Sequence, residues 1–330
     1  MAILVTGGGG FVGLNLVEAL LERGEEAILF DCSVLPPAAQ RALLRHGRQL
    51  NVARGDVRDA AQVNQVFESH RIEFIVHCAA VTSGAAREAR EPATIVDINV
   101  NGTLNILEAA RTHGVKRVIY TSSGAVYGES LYRLTRLYEE SPALPLTLYA
   151  ITKFAAERIC VRMSELWQIE VVCARLGTVI GPWERDTGVR DSYGTHTQLA
   201  ALAVAGKPAV LTQREVRRDW VYSRDAAAGL VALIDARAPR HRVYNLSSGI
   251  EWIDPIRGWC EALESEYPDF DYRLAAEGEQ PNIWYTDKDR HLMDAGRIAQ
   301  DIGFTPRFGP REAYGDYLAW LRDTPDFFRV

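Results

Sequence analysis

The chain has 330 residues, 47% of them hydrophobic and 24% charged, with a formal net charge of −6. This is the composition of an ordinary globular protein of one large or two average domains, and its acidic balance gives no sign of nucleic-acid binding. No run of 18 apolar residues occurs, the N-terminus carries no basic leader, and the five cysteines contain no C-x-x-C pair, so we expect no membrane span, no signal peptide, no disulfide framework and a reducing, cytoplasmic setting.

In chain order, a short apolar run at 2–6 predicts a buried strand, and the glycine run "GGGGFVG" follows it. Residues 11–23 then predict a helix. Phe11, Leu14, Val17, Leu20 and Leu21 share one face, and Gly24 ends it. Strands are predicted at 27–30, 50–54, 74–77, 117–121 and 171–176. Helices are predicted at 60–69, at 92–113 (Pro92 at its start, Gly114 past its end) and at 149–167. After Gly177 the rhythm breaks into loop-rich sequence. One run, 243–246, is apolar enough to return to the sheet, and from about Trp252 short helices mix with loops. Such alternation predicts an α/β fold: a Rossmann-type doubly wound parallel sheet with a smaller C-terminal α/β substrate lobe. The first domain would span 1–177 with a returning strand near 243–247, and the lobe 178–242 and 248–330.

The glycine run sits between a buried strand and an amphipathic helix, where glycines let a pyrophosphate approach the helix N-terminus. Two registers fit, Gly8-Gly10-Gly13 and Gly7-Gly10-Gly13. Asp31 ends the second strand, eighteen residues after Gly13. A carboxylate there accepts hydrogen bonds from an adenosine ribose and repels a 2′-phosphate, favouring NAD over NADP. Downstream, Tyr149 and Lys153 lie one helical turn apart on one face. A phenol is a poor base at neutral pH, but a neighbouring ammonium and an oxidised nicotinamide both favour its phenolate. Ser123, at the end of the fifth strand, can hydrogen-bond the same substrate oxygen. The histidines show no metal-ligand spacing, so no metal is expected. Trp183, Arg185 and Trp284 fall in the presumed substrate lobe, the two tryptophans as packing residues. Tyr127 reads as structural.

The glycine run, Asp31, Ser123, Tyr149 and Lys153 occur in an order that resembles the extended short-chain dehydrogenase/reductase family, which contains the NAD-dependent nucleotide-sugar epimerases and dehydratases. "GDVRD", "HCAA", "NVNGTLNILEAA", "ESPALP", "RRDWVYSRDAA" and "YNLSSG" also match. The resemblance implies the Gly7-Gly10-Gly13 register, with Gly8 and Gly9 as turn residues that fill the gap. It implies NAD as cofactor, held by Gly7, Gly10, Phe11, Val12, Gly13, Asp31, Asp56, Val57, Ala79, Ala80, Asn99 and Lys153. Catalysis would fall to Tyr149, Lys153 and Ser123, and substrate contacts to Thr82, Ser123, Tyr149, Thr178 and Arg218. It also implies a homodimer through the helices near 92–113 and 149–167.

Three departures narrow the reaction. Gly124 and Ala125 stand where the 4,6-dehydratases carry an acidic pair, which argues against dehydration. Thr178 replaces an asparagine that contacts the substrate diphosphate, and "QPNI" (280–283) replaces a segment whose arginine does the same, while Arg218 is retained. The leading expectation is epimerase-type oxidation and reduction at a secondary alcohol of a sugar or nucleotide-sugar. The alternative is an NAD-dependent dehydrogenase of a non-nucleotide sugar, sugar acid or small hydroxy compound. A non-enzymatic NAD sensor is disfavoured by the intact Ser123, Tyr149 and Lys153 set.

Overall fold

Seven short strands line up side by side; the inner ones are buried on both faces and need helices above and below them, while the edge strand Leu50–Arg54 is partly exposed. They are β1 (Ala2–Thr6), β2 (Glu26–Asp31), β3 (Leu50–Arg54), β4 (Phe74–His77), β5 (Arg117–Ser123), β6 (Val171–Leu176) and β7 (Val243–Leu246). The computed structural model describes residues 1–285 and 288–328. Residues 286–287 and 329–330, which fall in the stretch 248–330, lie outside the described residues.

All six strand pairings are parallel, in the order β3-β2-β1-β4-β5-β6-β7. The order reverses between β1 and β4, which is the switch point where such sheets open a crevice at their strand C-termini. Alternate residues of one strand feed opposite cores: Ile3 and Val5 pack on one face and Leu4 on the other. The expected return of the 243–246 run is observed, with Val243 opposite Cys173 in β6.

The helix expected over 92–113 forms, but its ladder widens to a π-turn at Asp97–Asn101 before resuming at Gly102–Thr112. The helices not read from the sequence include Pro37–Leu44, Thr195–Val204 and Ser223–Asp235, besides the short turns Ala85–Arg90 and Ser130–Arg133. Thr195–Val204 is rich in alanine and apolar on most sides, so it lacks the one-sided stripe that betrays a surface helix. Ser223–Asp235 packs on the glycine-loop helix Phe11–Glu22 and so covers the sheet. Trp183, buried, closes the joint: its Nε1 donates to Glu18 at 2.8 Å and its ring meets Trp320 edge-on at 4.9 Å. Tyr127 is buried and donates to Asn245 Oδ1 at 2.7 Å, whereas Trp284 is exposed.

Candidate active site

The glycine loop is shaped by contacts that no side chain could share. Gly7 has φ +64°, and a Cβ on it would lie 2.6 Å from the backbone N of Ala79 after β4. A Cβ on Gly13 would lie 2.2 Å from the Gly7 carbonyl. These two glycines let the loop fold back on its own helix and against the neighbouring strand end. Gly8 is more than a gap-filler: its Cβ would meet Leu29 Cγ at 2.6 Å and the Val5 carbonyl at 2.8 Å. Gly10 differs. A Cβ there would meet only the Gly7 carbonyl, at 3.1 Å, so its outer side is open among the described residues.

The Gly10 N–H donates to Gly7 at 2.9 Å, and Gly10 offers the helix no side-chain cap. The N–H groups of Phe11, Val12 and Gly13 in the first turn therefore remain for an anion, reinforced by the positive end of the helix dipole. Asp31, at the end of β2, steadies the loop by accepting from Gly9 N at 2.9 Å and from Ser33 Oγ at 2.6 Å. Asp56 pairs with Arg58 at 2.6 Å, which holds its carboxyl below the usual range. Val57 is buried under Gly102, and its carbonyl accepts from Asn105. Ala79 and Ala80 are half-buried along the far wall.

The second group of residues rides on the helix Leu148–Trp167, which packs on β5 and β6. Thr147 caps it, accepting from Ala150 N at 3.2 Å, and Glu88 accepts from Tyr149 N at 3.2 Å. Ser122 and Arg175 both bind the buried Glu157, at 2.6 Å and 2.7 Å, and fix the helix to the sheet. Lys153 is buried with its Nζ 4.4 Å from the Tyr120 ring centroid, and burial pushes its ammonium down to about 8. Tyr149 is half-buried. Ser123 closes β5, and its Oγ accepts from Ala125 N at 3.1 Å, leaving the O–H to donate.

Asn99 lies in the π-turn, a feature that often marks functional sites. Its Oδ1 accepts from Val81 N at 2.8 Å, and its Nδ2 donates to Val81 O and to Thr152 Oγ1. Thr152 in turn donates to the Tyr149 carbonyl at 2.9 Å. The Asn99 amide is thus spent on tying the segment after β4 to the tyrosine's helix. Buried His77 extends the network: Thr6 lies at 2.6 Å and Thr103 at 3.0 Å, and Thr103 donates to Asn99 O. Burial holds this imidazole neutral, near 3.

On the substrate side, Thr178 opens a short strand, Thr178–Ile180, that pairs with Trp220–Tyr222, two residues past Arg218. Asp219, buried, accepts from Ser248 Oγ at 2.7 Å and from Met293 N at 2.9 Å. That clasp brings the segment around Arg290 to Arg218. Burial lowers Arg218 to about 9, and the charges of Arg290 and Arg214 add to the effect. Lys288 lies 5.6 Å from the Tyr132 ring at the same place. Met293 also presses on Gly124, where a Cβ would lie 2.6 Å from its Sδ, so the cation cluster adjoins the loop that follows Ser123. Arg290, Arg214, Lys288, Tyr132 and Glu88 escaped the sequence reading. A two-residue pairing of Leu292–Met293 with Arg136–Leu137 gathers some of them, and it leaves no periodic signal. Thr82 is held by its backbone, its N–H donating to Val189 O at 2.8 Å.

Asp31, the glycine loop, Ala79 to Thr82, Ser123 and Thr178 thus lie along the C-terminal edge of successive strands. The open face at Gly10 and the free N–H groups beside it fit a dinucleotide pyrophosphate, and the Asp31 carboxylate fits a ribose without a 2′-phosphate. Among the described residues no group of three or more His, Cys, Asp or Glu could hold a metal, and no helix is long and apolar enough to cross a membrane. Fold and site define an NAD-dependent enzyme of the extended short-chain dehydrogenase/reductase type. The chain belongs to the NAD-dependent epimerase/dehydratase family, whose model matches residues 3–247.

The chain is 27% identical over 346 residues to a UDP-glucose 4-epimerase of Neisseria gonorrhoeae, covering 98% of both chains. It is 29% identical over 273 residues to UDP-glucose 4-epimerase 2 of Oryza sativa subsp. japonica, covering 75% of this chain and 65% of the relative. Its structure is similar to that of the Thermus thermophilus UDP-glucose 4-epimerase in complex with NAD, with TM-score 0.76 and 27% identity over 100% of this chain and 99% of the other. NAD is the cofactor, and the chain is an NAD-dependent enzyme of the epimerase/dehydratase kind.

Proposed function

We propose that this enzyme inverts a secondary carbinol of a nucleoside-diphosphate sugar through a transient ketone. The observation that carries the nucleotide is half-buried Arg218 with Arg290 close by, next to the Ser123 loop, while Arg214 is paired with Asp289 at 2.7 Å. Burial lowers the basicity of Arg218 and the neighbouring Arg290 charge adds to this, and a diphosphate would compensate that half-buried positive charge. Arg218 and Arg290 would supply the contacts that Thr178 and the 280–283 segment no longer offer.

NAD, when bound, would supply the hydride acceptor for oxidation and the hydride donor for reduction. Tyr149 takes the hydroxyl proton as the carbon is oxidised and gives it back on reduction. Lys153 favours the phenolate and would also hold the nicotinamide ribose. Ser123 donates to the oxygen as it becomes a carbonyl. Asn99 positions Tyr149 through Thr152. Phe11, Val12 and Gly13 would hold the pyrophosphate, with Gly7 and Gly10 shaping the cradle. Asp31 would hold the adenosine ribose, Asp56 and Val57 the adenine, and Ala79, Ala80 and Thr82 the wall towards the sugar. Gly124 and Ala125 carry no carboxylate, and Met293 packs against Gly124, so the acidic pair used for dehydration is missing there.

The lobe built from 178–242 and 248–330 would carry the nucleotide. Val96, Ile151 and Leu166 are exposed on the helices spanning 92–112 and 148–167, and a second copy of the chain would cover them as a homodimer. The five unpaired cysteines suit a cytoplasmic location.

The test is incubation with NAD and a panel of nucleoside-diphosphate sugars and free sugars, following absorbance of reduced cofactor and the sugar products together. An epimer without net NADH, from the nucleotide sugars only, is the expected result. Net NADH, or turnover of free sugars alone, would replace this reading with the dehydrogenase that the change to Thr178 favours.

A further inference from the structure

The cradle contains no cationic side chain: residues 7–13 offer a pyrophosphate only backbone donors. Arg185 reaches it from a distant part of the chain. Its Nη2 donates to the Gly9 carbonyl at 2.7 Å. Its Nη1 is buried and has no hydrogen-bond partner among the described residues. Burial lowers its basicity, and the Asp31 carboxylate only partly offsets this.

The segment that carries Arg185 crosses from one wall of the cleft to the other. Buried Glu184 organises it by pairing with Arg190 at 2.6 Å and accepting from Thr197 Oγ1 and Gly194 N. Further along, Asp191 N donates to Thr82 O at 3.1 Å, and the Asp191 carboxylate accepts from Gly84 N and Arg87 Nε, each at 2.8 Å. Arg190 is neutralised by Glu184. Arg185 has no carboxylate within ion-pair distance among the described residues.

We propose that Arg185 is a cofactor-binding residue that spans the cleft, holding the glycine loop through Gly9 with one nitrogen and meeting the cofactor's pyrophosphate with the other. A charge-assisted hydrogen bond of this kind completes a site whose other donors are neutral amides.

Calorimetric titration of the ligand-free protein tests this with NAD, ADP-ribose and adenosine. Arg185→Met is expected to weaken NAD and ADP-ribose by about 10- to 100-fold while leaving adenosine unchanged. Arg185→Lys keeps the charge without the fork and is expected to recover part of the loss. The melting temperature of the ligand-free Met variant should match that of the parent. Unchanged affinity for NAD and ADP-ribose would overturn the proposal. So would an equal loss for all three ligands, or a lowered melting temperature with no recovery in the Lys variant, because either result assigns Arg185 to holding the loop and nothing more.

Discussion

The two walls of the cleft are built by opposite means. The cofactor wall is mostly backbone: close approaches at Gly7 and Gly13, free N–H groups at the helix start, and one carboxylate steadying the loop. The substrate wall is mostly side chains, brought by the Asp219 clasp from segments near 132, 214, 218 and 290. Backbone recognition demands particular glycines at fixed spacing. Side-chain recognition demands only that charges meet, from wherever the chain supplies them. One wall is therefore generic to the class, and the other can change its ligand without changing the fold.

If the chemistry is carried between the walls, the largest effect belongs to neither. Tyr149→Phe is expected to lower kcat by on the order of 10³-fold, the range of a lost general acid–base. NAD affinity should be unchanged in a direct titration. Turnover close to the parent's would remove Tyr149 from the mechanism and leave both walls binding without chemistry.

On the cofactor wall, Gly10→Val is the informative substitution. Gly10 has φ −79° and ψ −179°, which valine adopts freely, and its Cβ would crowd only the Gly7 carbonyl. The fold should survive while NAD weakens on the order of 100-fold, about 2.7 kcal/mol, because the side chain fills the open face. On the substrate wall, Arg290→Met should raise KM for a nucleoside-diphosphate sugar about 10-fold with NAD affinity unaltered. If each variant moved the other wall's ligand instead, the division drawn above would be false.

The contrast also explains what could be read in advance. The strands and the Tyr149–Lys153 pair were legible because burial and helical period repeat along the chain. Spacing alone left two glycine registers open and only the family resemblance chose between them, while Gly8's tight fit on Leu29 left no trace in the sequence. Arg290 was illegible. Nothing local to "DKDRHLMD" announces that Met293 N will bond Asp219 or that two residues will pair with Arg136–Leu137. The π-turn at Asp97–Asn101 was illegible for a related reason: its sequence suits an ordinary helix, and the pull of Asn99 towards Val81 and Thr152 is tertiary.

Lys153 gives the smallest effect and shows that the centre of the site is held against stability. Its folded value is about 8 against 10.5 for the free side chain, with burial as the main cause. Below about pH 8 the folded state must keep a buried ammonium that the unfolded chain carries in water. Between about 8 and 10.5 the folded state sheds the proton first, the unfolded state binds more protons, and stability rises with pH. The shift corresponds to roughly 3 kcal/mol at neutral pH, from which the Lys153–Tyr120 contact at 4.4 Å must be subtracted. Lys153→Met should therefore stabilise the NAD-free protein by about 1–2 kcal/mol at pH 7, measured by urea unfolding. The gain should shrink as the pH approaches 10.5. A Met variant less stable than the parent at pH 7 would mean that the ammonium is satisfied where it lies, and that this part of the site costs the fold nothing.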